Sequence, residues 1–324
     1  MTILLDATDR TLVDSWQRDF PLVERPFAVL GKSVGVDEDE AIERLRRLSQ
    51  SGALSRIGAV VRPNTAGAST LAALAVPPSE LEAAAEAVIA EPGVNHAYER
   101  EHTFNFWFVV TAADQAGVEA AIDRIERRVG LPVLVLPMVR DFHIDLGFPI
   151  FAGRRERAKG PATITQRRAP NDDERALLGT IERGLDLTPR PFAAVAATLG
   201  WSESDVLVVL KEVLAAGVVT RFGLVVHHRA FGFRDNAMVV WDLPADSLCA
   251  TARRFAADDA VTLCYERPRR PNWPYALFTM VHARDRVSAR AAVARLSALA
   301  PDAPHEILFS TRCFRQRGAR LSAA

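Results

Sequence analysis

The chain is poor in cysteine, with three in 324 residues: Cys249, Cys264 and Cys313. The number is odd and no two form a CxxC pair, which excludes a disulfide framework or a cysteine-based zinc module. No uninterrupted apolar run approaches the ~20 residues of a membrane span. The first ten residues are polar and acidic where a secretion signal would be apolar. Excess charge is missing too. Lys+Arg and Asp+Glu both number 40, so the bulk balance does not favour a polyanion as partner. HExxH, the P-loop, GxSxG and the dinucleotide fingerprint are absent. What remains is the expectation of a soluble, cytoplasmic chain of ordinary globular composition, 49% hydrophobic and 25% charged.

What is present is repetition. Arg25-Pro26-Phe27-Ala28 recurs as Arg190-Pro191-Phe192-Ala193, an offset of 165. Residues 52–61 (GALSRIGAVV) recur at the same offset as 217–226 (GVVTRFGLVV). Tyr98-Glu99-Arg100 returns as Tyr265-Glu266-Arg267, and Asn105 as Asn272, now offset by 167. A near-constant offset across separate motifs indicates duplication of a whole domain pair.

Each copy reads as three helices and a wing, then a β-α-β-β-α-β run. In the first half the helices fall near 9–20, 24–34 and 37–51, with Ile42, Leu45 and Leu48 on one face. The wing covers 54–62. Strands follow near 70–76, 94–102, 104–112 and 132–145, with helices near 79–90 and 114–129. The second half repeats this order through a final strand near 304–314. The expected class is α+β: a tandem repeat of winged helix-turn-helix plus ferredoxin-like sandwich. Two helices cover one face of each sheet, so the open faces of the two halves should pack face to face. The boundaries are 1–62 and 63–150 for the first half, a basic linker at 151–170, then 171–228 and 229–324.

A helix-turn-helix raises DNA binding. Such a helix puts its N-terminal residues against phosphates and base edges. Here those residues are Asp37-Glu38-Asp39-Glu40 and Ser202-Glu203-Ser204-Asp205. They suit the helix dipole and repel phosphate. Arg44, Arg46 and Arg47 come later and read as a solvated face. Both modules are therefore read as packing units, and no DNA partner is expected.

The chemistry concentrates in 94–108, VNHAYEREHTFNFWF. On an extended strand His96, Tyr98, Arg100 and His102 share one face. Four polar side chains in a row are unusual for a strand that only fills a core. The equivalent row in the second half is Leu263, Tyr265, Arg267 and Arg269, continuing Arg270-Pro271-Asn272-Trp273-Pro274-Tyr275. Guanidiniums suit carboxylates. A histidine can move a proton or ligate a metal. Phe104, Phe106, Trp107 and Trp273 suit a flat apolar ring. Together they specify a large, planar ligand carrying several carboxylates. The competing reading, a buried ion-pair network with Glu99 and Glu266, is as good for any one residue but weaker for the whole row. Weaker candidates are His227-His228, His143 with Asp145, and the matched pair Arg56 and Arg221.

The two-part repeat resembles the Lrp/AsnC regulators. Those carry a Thr-Gly-x-x-Asp-like turn between the middle strands, where this chain has Arg100-Glu101-His102-Thr103-Phe104-Asn105 and Arg267-Pro268-Arg269-Arg270-Pro271-Asn272. These segments resemble instead the siroheme decarboxylases of heme d1 and alternative heme biosynthesis: the first half the NirD type (HAYEREHTFNFWFVVTA), the second the NirL type (CYERPRRPNWPYALFTMVH). The resemblance covers about 9–147 and 171–318. It implies a fused NirDL-type carboxy-lyase, an internal pseudo-heterodimer that removes the C12 and C18 acetate carboxyls of siroheme. His102, His96, Tyr98 and Arg100 are then the catalytic candidates. Arg267, Arg269, Arg270, Tyr265, Trp107, Asn105, Asn272 and Trp273 are the substrate-binding ones. His102 or His96 is an axial ligand to the substrate iron, and no cofactor beyond that iron is called for. A further homodimer is left open. The alternatives are an Lrp/AsnC-like regulator sensing heme or a metabolite, and a tetrapyrrole carrier that releases its ligand unchanged.

Overall fold

The computed structural model describes residues 5–65, 67–144, 147, 150–151 and 168–318. In chain order the first half contains α1 (Ala7–Ser15), α2 (Pro26–Val34), α3 (Glu38–Gln50), β1 (Leu54–Val61), β2 (Ala68–Leu74), α4 (Leu81–Ile89), β3 (Val94–Arg100), β4 (Phe106–Ala112), α5 (Gln115–Val129), β5 (Leu134–Pro137) and β6 (Arg140–Ile144). The second contains α6 (Asp172–Thr180), α7 (Pro191–Leu199), α8 (Glu203–Ala215), β7 (Val219–Val226), β8 (Asp235–Trp241), α9 (Ala245–Ala256), β9 (Val261–Glu266), β10 (Leu277–Ala283), α10 (Arg286–Leu299) and β11 (His305–Gln316). The expected linker lies almost wholly outside the described residues.

The chain divides into two compact units, and each takes one piece from each half. Residues 1–66 and 147–232 form the helix-turn-helix unit; 67–146 and 233–324 form the sandwich unit.

In the first unit the sequence repeats are stop and start signals. Pro26 and Pro191 occupy the first positions of α2 and α7, where the missing N–H costs nothing. Gly35 and Gly200 end these helices at φ 78° and 71°, a left-handed turn that favours glycine. Asp37 and Ser202 cap α3 and α8, while Arg25 and Arg190 hold Glu38 and Glu203. The acids that open both third helices are thus used in capping and ion pairing. Arg44 departs from the expected solvated face: its side chain is 13% exposed and pairs with Asp6, Asp9 and Glu40. The two wings pair with each other, β1 antiparallel to β7, with Gly58 opposite Gly223. A side chain at Gly223 would stand 2.5 Å from the Gln17 and Trp16 carbonyl oxygens, which explains a glycine within that strand.

The sandwich unit has a nine-stranded sheet in the order β5-β2-β4-β3-β11-β8-β10-β9-β6. Helices cover the outer faces over two separate cores, one holding Ala97, Phe106 and Phe108, the other Val239, Trp241 and Phe255. A third apolar layer draws on both halves: Ala73, Trp107, Leu134 and Leu136 meet Met238, Val240, Trp273, Phe278 and Leu308. The half-sheets therefore pack face to face as expected. They are also joined at their edges. β11 leaves β8 at Phe309 and continues against β3 from Ser310, and β6 crosses to pair with β9. The strand expected at 132–145 is thus two strands, broken at Met138–Val139, which lie at opposite ends of the sheet order.

Candidate active site

β3 supplies the first row. Ala97 points into the helix-covered core, so His96, Tyr98 and Arg100 take the face between the sheets. His96 and Tyr98 lie nearly parallel, ring centres 6.2 Å apart, with Nδ1 and the hydroxyl oxygen 3.4 Å apart. Burial pushes the His96 imidazole down to about 4, so it is unprotonated at neutral pH. Arg100 is 5% exposed, and its guanidinium stands 5.7 Å from the Tyr98 ring. Nη1 donates to the Leu308 carbonyl at 2.9 Å and to Asn236 Oδ1 at 3.2 Å, while Nε is buried without a partner. Burial pushes this group down to about 10, with Tyr98 acting the other way.

β9 supplies a matching row. Arg267 Nη1 donates to the Leu136 carbonyl, its guanidinium lies 5.4 Å from the Tyr265 ring and 5.7 Å from Phe278, and its Nε is again buried without a partner. Burial pushes Arg267 down to about 10 and Tyr265 up. The relation is reciprocal: Arg100 reaches β11 of the second half, and Arg267 reaches β5 of the first. Leu263 stands where the first row has His96.

His102 does not continue the first row. β3 stops at Arg100, whose N–H donates to the Asn105 carbonyl at 2.8 Å and closes a turn. Within it, His102 Nδ1 accepts the Phe104 N–H at 2.8 Å, and Nε2 lies 2.7 Å from Glu306 Oε2. The ring stacks on Phe104 and meets Trp273 edge-on at 5.5 Å. Trp107 donates to the Phe104 carbonyl at 2.6 Å and lies 5.2 Å from Trp273, both rings buried.

The remaining candidates divide. Asn105 spends its amide on Val76, accepting its N–H at 2.9 Å and donating to its carbonyl at 2.8 Å. Its sequence counterpart Asn272 is exposed at the tip of the Arg270–Trp273 turn. Arg269 pairs with Asp242 at 2.9 Å, and Arg270 donates to the Val135 carbonyl at 3.2 Å. His143 stands opposite Cys264 on β6; Asp145 lies outside the described residues. Arg56 and Arg221 belong to the helix-turn-helix unit, donating to Ala59, and to Gln17 and Leu224, carbonyls. His227 and His228 lie in that unit as well. Among the described residues no cluster of three or more His, Cys, Asp or Glu is arranged to hold a metal.

Sequence reasoning missed Asn236, Glu306 and the role of Tyr275, whose hydroxyl donates to Glu306 Oε1 at 2.6 Å. Nothing local marks Glu306, because the same strand also carries His305, Ser310, Thr311, Arg312, Arg315 and Gln316. Chemically, the two rows offer buried cationic N–H groups for anions, one unprotonated imidazole, and an aromatic interior for a flat ring.

Comparison with known proteins gives one answer. Residues 66–143 and 230–315 match the model of the AsnC-like ligand binding domain. Residues 9–54 and 174–219 match that of the siroheme decarboxylase NirDL-like HTH domain. The siroheme decarboxylase NirDL subunit of Paracoccus denitrificans is 48% identical over 322 residues, 98% of both chains. The crystal structure of a siroheme decarboxylase NirDL superposes with a TM-score of 0.71 at 27% identity, covering 97% of this chain and 94% of that one. A second, in complex with an iron-uroporphyrin III analogue, gives 0.69 at the same identity and coverage.

Proposed function

We propose that this chain, which belongs to the NirDL-type siroheme decarboxylases, removes the C12 and C18 acetate carboxyls of siroheme as carbon dioxide to give 12,18-didecarboxysiroheme. The reaction serves heme d1 or alternative heme biosynthesis. The observation that carries the reading is the duplicated Tyr–Arg pair, whose two buried guanidiniums each keep an unpartnered Nε beside an aromatic layer.

Arg100 and Arg267 anchor substrate carboxylates, with Arg269 and Arg270 at the exposed rim. Loss of carbon dioxide leaves the bond's electron pair on the methylene carbon, delocalised into the macrocycle, and that carbon then takes one proton. A poorly hydrated, aromatic-lined site favours the loss of a neutral product from an anion. The His96–Tyr98 pair is the proton donor. Burial keeps His96 uncharged; a bound substrate carrying several carboxylates reverses that pressure. His102 has its ring hydrogen on Nε2, since Nδ1 accepts an amide, and its role is axial ligand to the substrate iron. No cofactor beyond that iron is needed. The regulator reading is disfavoured by the acids at the starts of α3 and α8.

Anaerobic incubation with siroheme tests this. Mass spectrometry should find products lighter by one and then two carbon dioxide units; unchanged siroheme with folded protein rejects it.

A further inference from the structure

Glu306 shares the inward face of β11 with Leu308, which lies in the apolar layer between the sheets. Its own side chain is 45% exposed, and two groups from different places in the chain hold it. Tyr275 donates its hydroxyl to Oε1 at 2.6 Å, and His102 Nε2 faces Oε2 at 2.7 Å. On the far side of the imidazole, Nδ1 accepts the Phe104 N–H at 2.8 Å. One neutral form of the ring satisfies both contacts: hydrogen on Nε2, lone pair on Nδ1. Trp273 meets both rings edge-on, His102 at 5.5 Å and 79°, Tyr275 at 5.0 Å and 75°.

Among the described residues the arrangement occurs once. Glu306 stands opposite Val240, whose counterpart Ala73 stands opposite Leu134. The counterpart of His102 is Arg269, which binds Asp242. The second row therefore has neither the imidazole nor the carboxylate. What exists once in a duplicated scaffold is not required by the scaffold.

We infer that Glu306 of the second half is a positioning residue for His102 of the first: it holds the ring hydrogen on Nε2, orients the ring, and makes Nδ1 the better electron-pair donor to the iron of a bound tetrapyrrole. A histidine that ligates a metal generally donates its other N–H to a carboxylate or carbonyl, which raises ligand basicity. Nδ1 is held by one turn amide, a small loss against a metal–nitrogen bond. Burial and Glu306 push Tyr275 up, so it stays a donor. The inference rests on the tetrapyrrole-binding part of the reading above.

The test compares two probes on the full chain, Fe(III)-uroporphyrin III and metal-free uroporphyrin III. Glu306→Gln should weaken the iron form roughly 10- to 100-fold and leave the metal-free form within about threefold. It should also lower the iron–imidazole stretching frequency of the reduced complex. Tyr275→Phe frees Oε1 of its donor and strengthens the pull on Nε2–H, so its preference for the iron form should hold or rise. It serves also if the Gln variant does not fold. Equal weakening of both probes, or no change in either, overturns the inference. Siroheme turnover by the wild type is scored separately. A wild type that converts siroheme alongside such a result loses only the role of Glu306. A wild type that does not, but shows the iron-selective loss, keeps it and loses the decarboxylase reading.

Discussion

The rows on β3 and β9 are the same construction put to different use. Each places a tyrosine and then an arginine on the inner face, and each arginine donates to a backbone carbonyl of the other half. They part at His96 against Leu263 within the rows, and at His102 against Arg269 in the turns that follow them. The retained pair has a structural duty in both rows, because a buried carbonyl left without a donor is costly. The histidines have no such duty that a duplicate must share. Duplication thus preserves what joins the sheets, and the divergent positions are the ones to which the proposed mechanism assigns the chemistry.

The strongest way to break this comparison is to turn the first row into the second. His96→Leu puts the residue of the second row at the matching place, with similar volume and no proton to give. Steady-state turnover of siroheme should fall roughly 100-fold or more, while Fe(III)-uroporphyrin III binding, read by absorbance titration, stays within about threefold. Near-normal turnover would mean that the two rows differ without consequence.

The same substitution sharpens the comparison through stability. An unfolded histidine titrates near 6.5, whereas folded His96 is pushed down to about 4. Between those values the unfolded chain binds more protons, so the folded state loses stability as pH falls from about 6.5 toward 4. Leu263 exerts no such pressure. In chemical denaturation at pH 7 and pH 5, the wild type should lose about 2 kcal/mol more than His96→Leu between the two conditions. Equal losses would mean that His96 is not held neutral by its surroundings.

The parts legible in the sequence were those encoded locally. Arg-Pro-Phe-Ala recurs at the start of α2 and α7, where proline fits a first helical turn. Tyr98, Arg100, Tyr265 and Arg267 stood out because polar residues at alternate positions cannot all be core. The illegible parts depend on partners far along the chain. Residues 132–145 read as one strand because periodicity records which face a residue takes, not which strand lies beside it; the break at Met138–Val139 sends β6 to β9. His102 appeared to extend the first row because nothing local announces that Arg100 N–H will turn toward Asn105. Glu306 looked like any outward polar residue on a strand until folding set it 2.7 Å from an imidazole some two hundred residues earlier.

Asn105 and Asn272 make the smallest and most exact test, because equal spacing in the repeat did not give equal function. Asn105 accepts from and donates to the Val76 backbone, which ties the turn carrying His102 to the end of β2. Truncation leaves the Val76 N–H and carbonyl without those partners in a half-buried place, at a cost of about 1–2 kcal/mol. Asn272 sits exposed at a turn tip, where the hydrogen bonds between Arg270 and Trp273 are backbone to backbone. Its truncation should cost within about 0.5 kcal/mol. Denaturant midpoints of Asn105→Ala and Asn272→Ala measure both. If the two variants lose equal stability, the second turn depends on its asparagine as the first does, and the halves are more alike here than their hydrogen bonds imply.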